Sequence, residues 1–573
     1  MTTTNSNDER IHWPAKGLTA VVDLAVASHA RAVVVLMVVA LAAFLPGFFQ
    51  LPPIDRDEAR FAQATKQMVE SGDYVDIRFQ DEVRYKKPVG IYWLQAAVAN
   101  SADMLGLPQA HSTIWLYRIP SLLGALGAVL LTYWTALAFV SRRAALLAGL
   151  MLATSILLGV EARLAKTDAM LLATILAAMG ALARVYLDAR GVRPSARGWS
   201  LPAIFWTALA AGILLKGPLI LMIVGLTAGT LAALDRSARW LLALRPLPGL
   251  AWLIVLVLPW FLAIVVRSGD SFFAESIGHD LLSKLASGQE SHGAPPGFYF
   301  ALFWVTFWPG ATLAALATPS VWAARREPGA RFLLAWLIPS WIVFELVMTK
   351  LPHYVLPLYP AIAILIAGVI DPHALARQRW LVRGTGWWLG LPLIIAIAGI
   401  IGMVAIGRQL GLLAWPFAAG AVIFGLIAWR LYDVDGPERS LLRAMAASLL
   451  IAIAVYAVIA PSLTALFPSV TLAQTLRESG CKQPLAAAAG FHEPSLVFLV
   501  GTPTRLTDGA GAAEFLRQGS CRFAFIEARQ ERSFVQRAEA IGLRYAPGPR
   551  IDGINISVGR VISIAVYRSE GAP

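Results

Sequence analysis

Between Asp55 and Lys87 the chain reads D-R-D-E-A-R-F, then an amphipathic run, then R-Y-K-K-P, a concentration of charge in a protein that is only 14% charged overall. This stretch follows an apolar segment long enough to cross a bilayer. Ionisable groups at the hydrocarbon layer are costly unless they face a watery cavity or a partner, so such a cluster reads first as a functional site. The carboxylates of Asp57 and Glu58 could orient a substrate, stabilise a cationic centre or remove a proton. The cations Arg60, Arg84, Lys86 and Lys87, with Tyr85 among them, could hold an anion, most simply a lipid phosphate.

Each of these residues also has a plainer role. Asp55-x-x-Glu58 fits a capping box on a helix that runs to Ser71 and stops at Gly72, with Phe61, Thr65, Met68 and Val69 on its apolar face. That accounts for Asp55 and Glu58 and leaves Asp57 over, unless it only complements the helix dipole, worth about 0.3–1 kcal/mol. Arg60, three residues on, shares its face. Arg84, Lys86 and Lys87 could simply snorkel beside an interfacial helix.

What must position these groups is a membrane scaffold. A mean hydropathy of +0.64 and 57% hydrophobic residues over 573 positions place the chain in the polytopic membrane class. Apolar blocks stand at 32–49, 115–139, 144–160, 168–187, 201–215, 217–234, 250–266, 298–317, 331–348, 353–370, 386–407, 412–430 and 441–460, about thirteen spans. The first is read as an uncleaved span behind a cytoplasmic segment, 1–30. Block 89–106 carries Gln95, Asn100, Ser101 and Asp103, and is expected to lie on the membrane as an interfacial helix.

The net charge of +13 would suggest nucleic acid in a soluble chain, but here the arginines sit in short connectors, so no nucleic-acid partner is expected. With 89–106 not spanning, Arg142/Arg143, Arg190/Arg193/Arg197, Arg236/Arg239/Arg245, Arg325/Arg326, Arg377/Arg379/Arg383 and Arg439/Arg443 share the side of the N-terminus, the cytoplasm. The outer loop 50–114, the turn Lys166–Asp168, the loop 267–297, the turn Lys350–His353 and everything after 461 then share the other face. The expectation is an all-α membrane domain over 31–460 and a small extracytoplasmic α/β domain over 465–573.

In that tail Ser495–Val500, Phe523–Ile526 and Val561–Tyr567 read as strands, and Ala512–Arg517 and Glu531–Ile541 as helices. The only cysteines, Cys481 and Cys521, lie there. An oxidising compartment would let them pair, and closing that loop would contribute roughly 3–4 kcal/mol. Two unpaired small hydrophobes are the alternative.

Further outer residues extend the candidate site. Glu161, Arg163, Lys166 and Asp168 form either a solvated hairpin or a second wall of a cavity. Loop 267–297 holds His279, Asp280, Lys284, Glu290 and His292, and could be a lid. Lys350 and His353 bracket Leu351-Pro352 at a span end, and Lys216 stands at another; each anchors the interface or contacts phosphate. No spacing matches a metal-ligand motif, so no metal ligand is assigned, and a divalent cation stays an open alternative.

D-E-A-R-F, K-K-P-V-G-I-Y-W, T-D-A at 167–169, L-L-K-G-P at 214–218 and K-L-P-H-Y-V-L-P-L-Y-P at 350–360, in this order, resemble the bacterial lipid A aminoarabinose transferases and the wider protein-mannosyltransferase-like (GT-C) clan. The resemblance implies an inner-membrane transferase with a periplasmic site, moving a sugar from undecaprenyl phosphate to lipid A or another envelope glycolipid; a monomer is expected. Carried over by motif, Asp57 matches the principal acidic residue, Glu58 and Arg60 its neighbours, Lys87 the lysine before proline, Asp168 a second aspartate and Tyr354 the tyrosine after K-L-P. Lys86 stands where the compared transferases carry an acid and Phe61 where they carry tyrosine, which makes a neutral or uronic sugar an alternative to aminoarabinose. A protein hydroxyl is the rival acceptor. A secondary transporter is the rival class, but it should show mid-span charges and two repeated halves.

Overall fold

The computed structural model describes residues 13–194, 198–269, 271–273 and 293–570. Helices α1 (Trp13–Val26) and α2 (His29–Phe44) lead to α3 (Asp57–Ser71), a hairpin of β1 (Arg78–Phe79) and β2 (Glu82–Val83), and α4 (Gly90–Met104). Then come α5 (Ile114–Ala136), α6 (Arg142–Ala153), α7 (Ile156–Glu161), α8 (Asp168–Ala189), α9 (Ser200–Lys216), α10 (Leu219–Leu234) and α11 (Pro246–Ser268). Among the described residues eight helices are long and apolar enough to span a bilayer, or nine if the pair Phe298–Thr306 and Ala311–Ala323, bent by 117°, counts as one. Three shorter apolar helices, α2, α9 and α10, complete the set, so this criterion does not fix the expected thirteen. The block 144–160 is broken: α6 ends at Ala153, and Thr154 and Ser155 turn their hydroxyls onto the carbonyls of Leu150 and Leu152.

The core runs through α5, α6 and α8, whose facing residues are nearly all buried. Gly124 lets α5 and α8 touch at the outer end, since a Cβ there would lie 2.6 Å from the Met170 nitrogen. Ser121, on α5, donates to the Lys166 carbonyl at 3.0 Å and so pins the turn that carries Asp168. Gly90 of K-K-P-V-G has a similar reason: a Cβ would come within 2.7 Å of the Leu214 carbonyl oxygen, beside Lys216. α4 is not among the spanning helices.

In the tail a five-stranded sheet has the order β4-β3-β5-β7-β6, with β3 (Leu485–Ala489), β4 (Arg505–Thr507), β5 (Arg522–Glu527), β6 (Tyr545–Asn555) and β7 (Arg560–Ser569). The β4-β3-β5 pairs are parallel and the β5-β7-β6 pairs antiparallel. Each face has its own apolar cluster, one around Leu472, Leu496 and Phe525, the other around Phe515, Phe534 and Tyr567. Cys481 and Cys521 are joined by a disulfide, Cα to Cα 5.8 Å. One expected strand is corrected: Ser495–Val500 belongs to a helix, Pro494–Val500. Pro494 at its first position presets the helical φ, and an apolar run this short carries no period that separates helix from strand.

Candidate active site

The expected capping box is also corrected. The residue before α3 is Arg56, at φ 68°, and it makes no side-chain cap bond. Asp55 turns instead to the tail, where its Oδ1 accepts the Ser495 amide at 2.9 Å. Glu58 is taken by Arg118, a fully buried guanidinium on α5 that donates from Nε to Oε1 at 2.7 Å and from Nη2 to Oε2 at 2.9 Å. A buried guanidinium needs a carboxylate, and a two-pronged pair is stronger than a cap. The same guanidinium donates to the carbonyls of Phe48, Leu51 and Pro52, while Glu58 accepts the amides of Ile54 and Ala165. Arg163 does likewise for the other strand of the junction, donating to Ala43, Pro46 and Gly159 and stacking on Tyr456 at 4.1 Å. Segment 43–58, α5 and the turn 162–167 are therefore knotted together around Glu58 and Arg118.

Asp57 is left exposed at the first turn of α3, with no ion pair among the described residues. Its charge reaches Lys166 on one side and Tyr92 of α4 on the other. Lys166 is buried, 3.1 Å from Glu161 and 3.9 Å from Asp168. Lys216, the last residue of α9, donates to Asp168 Oδ1 and lies 5.4 Å from the Tyr354 ring centroid. His353 stands between the two acids, Nδ1 3.7 Å from Glu161 and Nε2 3.7 Å from Asp168, and Lys87 is within electrostatic reach of it. Asp168, opening α8, also sits at the positive end of that helix. Burial alone would lower the Lys166 ammonium, but Glu161 and Asp168 outweigh it and hold it charged. Burial pushes the Glu161 carboxyl above its ordinary range, with Lys166 pulling the other way.

The outer loop supplies the next wall. Arg84 is buried with its guanidinium 5.0 Å from the Phe61 centroid, and Phe61 packs on Tyr92. Two polar atoms there, Arg84 Nε and Tyr92 Oη, are buried without a hydrogen-bond partner among the described residues. Tyr85 donates to Asp76 at 2.8 Å, and burial together with that carboxylate pushes its phenol up to about 12. With Gln67, Asp73, Asp76, Arg78 and Arg267 it lines a polar cavity of about 550 Å³. Lys86 and Lys87 sit half-buried behind the β-hairpin, and Arg60 one turn along α3 from Asp57.

So the structure gathers Asp57, Lys87, Asp168, His353 and Tyr354 with Glu161, Lys166 and Lys216. It sets apart Lys350, whose ammonium donates to the carbonyls of Glu345 and Val347 and closes the end of helix Pro328–Leu346. His279, with Asp280, Lys284, Glu290 and His292, lies outside the described residues, as does Arg197. Among the described residues no three His, Cys, Asp or Glu side chains gather as a metal-binding group. Arg118 is the residue the sequence reading missed. Its signal was present, a single arginine inside the apolar block 115–139, which requires a buried carboxylate partner.

The tail braces this wall. Helix Pro494–Val500 packs on α3, with Phe498 against Tyr117 at 5.3 Å. Lys66 donates to the Phe498 carbonyl, Gln63 to Thr502, and Gln80 to the Thr502 carbonyl. Burial, followed by the Glu493 carboxylate, pushes Asp55 from its ordinary 3.8 up to about 6 against the pull of the Ser495 amide. Folded Asp55 thus holds a proton that the unfolded chain has released between those values, and stability falls as pH rises through that window. With the intrinsic base-catalysed rise in exchange divided out, the protection factors of amides in 494–500 are expected to fall from about pH 4 to about pH 6 and to lose that dependence in Asp55→Asn. An unchanged slope in the variant would assign the effect elsewhere.

Comparisons with known proteins agree with this layout. Residues 34–270 match the family model described as dolichyl-phosphate-mannose-protein mannosyltransferase. An undecaprenyl phosphate-alpha-4-amino-4-deoxy-L-arabinose arabinosyl transferase of Pectobacterium atrosepticum is 27% identical over 63% of this chain and 62% of its own length. One of the same description from Pseudomonas aeruginosa is 29% identical over 61% of this chain and 63% of its own. The chain thus spans a little under two thirds of these relatives. The crystal structure of ArnT from Cupriavidus metallidurans bound to undecaprenyl phosphate superposes with a TM-score of 0.68 over 93% of this chain and 97% of that one, at 19% identity. The fold is therefore the GT-C fold of ArnT, a multi-span membrane protein with a small sheet-containing tail.

Proposed function

We propose that the chain is a membrane glycosyltransferase that moves a sugar from undecaprenyl phosphate, or a similar polyprenyl phosphate, to an acceptor on the periplasmic side of the bacterial inner membrane, lipid A or another envelope glycolipid. One observation carries this reading: an exposed Asp57, with no ion pair among the described residues, stands by a buried cluster of Lys166, Asp168, Lys216 and His353, with Lys87 in reach, where apolar helices end. The named activity of the relatives and the ArnT fold support it.

In the reaction the bond between the anomeric carbon and the phosphate breaks while the acceptor oxygen bonds that carbon. Negative charge grows on the departing phosphate, and in this reading Arg60 and Lys87, with Lys86 and Arg84, stabilise it. Asp57 takes the proton if the acceptor is a hydroxyl. With a phosphate acceptor no proton need leave, and Asp57 orients the sugar or stabilises positive charge at the anomeric carbon. Asp168 is held between Lys216 and Lys166 and fixes the opposite wall. Glu58, committed to Arg118, positions Asp57 and does not touch substrate. In this reading 31–460 carries the chemistry and 465–573 braces α3.

The full chain, reconstituted with undecaprenyl-phosphate-linked aminoarabinose, hexose or uronic sugar and with lipid A, is expected to release undecaprenyl phosphate and to add one sugar mass to lipid A by mass spectrometry. Donor cleavage with labelled protein and unchanged lipid A would move the acceptor to a protein hydroxyl. No cleavage of any donor would overturn the proposal.

A further inference from the structure

The far end of α8 carries a second polar site. Its 22 residues put Arg184 and the following connector at the opposite end of the helix from Asp168, a helix about 33 Å long. Between α5, α8 and α9 lies a cavity of about 400 Å³ lined by Trp134, Arg184, Arg193 and Ser200, with apolar walls from Leu201 and Ile204. Arg184 stacks 3.8 Å from the Trp134 centroid and donates to the carbonyls of Gly180 and Trp134 at 2.9 and 2.6 Å. Arg193 donates to the Leu137 carbonyl.

Those bonds close the carbonyl end of α5, and that alone would explain one arginine. Two arginines lie near enough to feel each other's charge, and neither forms an ion pair among the described residues. A guanidinium has five N–H donors, so each keeps donors beyond its carbonyl bonds. Paired guanidiniums on a cavity wall match a phosphate, which accepts such forks. Ile204 is 38% exposed on the apolar surface of α9, so the cavity adjoins the membrane-facing side of the bundle. Basic pockets between helices at this level suit phospholipid head groups.

We propose that this cavity holds a phosphate group, that of an anionic phospholipid in the leaflet opposite the candidate active site. It is separate from the sugar-transfer site and does not rest on that reading.

The test uses the full chain in nanodiscs of phosphatidylcholine with or without phosphatidylglycerol. Native mass spectrometry is expected to show retained phosphatidylglycerol, weakened about 10- to 30-fold in Arg184→Gln/Arg193→Gln. Arg193→Gln alone, at an exposed position, should show part of the loss with an unchanged melting temperature, which separates binding from folding. Inorganic phosphate added to phosphatidylcholine discs is the second arm. Saturable phosphate binding lost in the double variant, with phosphatidylglycerol retention unchanged, would overturn the lipid source. Retention unchanged by either variant, with no phosphate binding, would overturn the site.

Discussion

Asp57→Asn is expected to lower sugar transfer by about 10²–10⁴-fold if the carboxylate acts as base, and to leave the melting temperature nearly unchanged. The two halves of this expectation have separate grounds. Stability should hold because Asp57 is exposed and its carboxylate bears no ion pair among the described residues. Its helix-dipole contribution is only about 0.3–1 kcal/mol, and asparagine retains the shape. Activity should fall because the other acids nearby are committed: Asp55 to Ser495, Glu58 to Arg118, Asp168 to Lys216, Glu161 to Lys166. Turnover of donor by the purified variant, with kcat and KM resolved, is the measurement. A loss confined to KM would make Asp57 a binding group, and unchanged turnover would remove it from the reaction.

The sequence showed these groups unevenly, and the reason is the range over which each is fixed. D-E-A-R-F, T-D-A, L-L-K-G-P and K-L-P-H-Y mark helix ends at one membrane face, and the structure brings Asp57, Asp168, Lys216 and His353 together there. Local patterning misled where a distant partner competes. Glu58 looked like a cap because its spacing from Asp55 is right, yet Arg118, sixty residues on, claims it. His353 read as an interface anchor or a phosphate contact because it stands at a span end, and its acidic surroundings were not visible there. Its neighbours Glu161 and Asp168 come from a turn nearly two hundred residues earlier. The tail's place was invisible for the same reason: nothing local to 494–500 says that Phe498 meets Tyr117 or that the segment supports α3.

Glu58→Ala should be the most damaging single change to the fold of the outer loop. It would leave Arg118, with no exposed surface, without its carboxylate, a loss of about 3–5 kcal/mol for a broken buried pair. It would also free the amides of Ile54 and Ala165, which Glu58 now accepts. Melting temperature and transfer should therefore fall together, unlike in Asp57→Asn. A second variant separates position from mere stability. Glu58→Leu/Arg118→Met removes both charges and should recover part of the melting temperature, the remainder being lost with the hydrogen bonds to the amides of Ile54 and Ala165 and the carbonyls of Phe48, Leu51 and Pro52. It should not recover transfer, because Arg118 also ties the carbonyls of Phe48, Leu51 and Pro52, and without those ties α3 no longer holds Asp57 opposite Lys166. Full transfer in the double variant would show that the knot matters only for stability and that Asp57 finds its place without it.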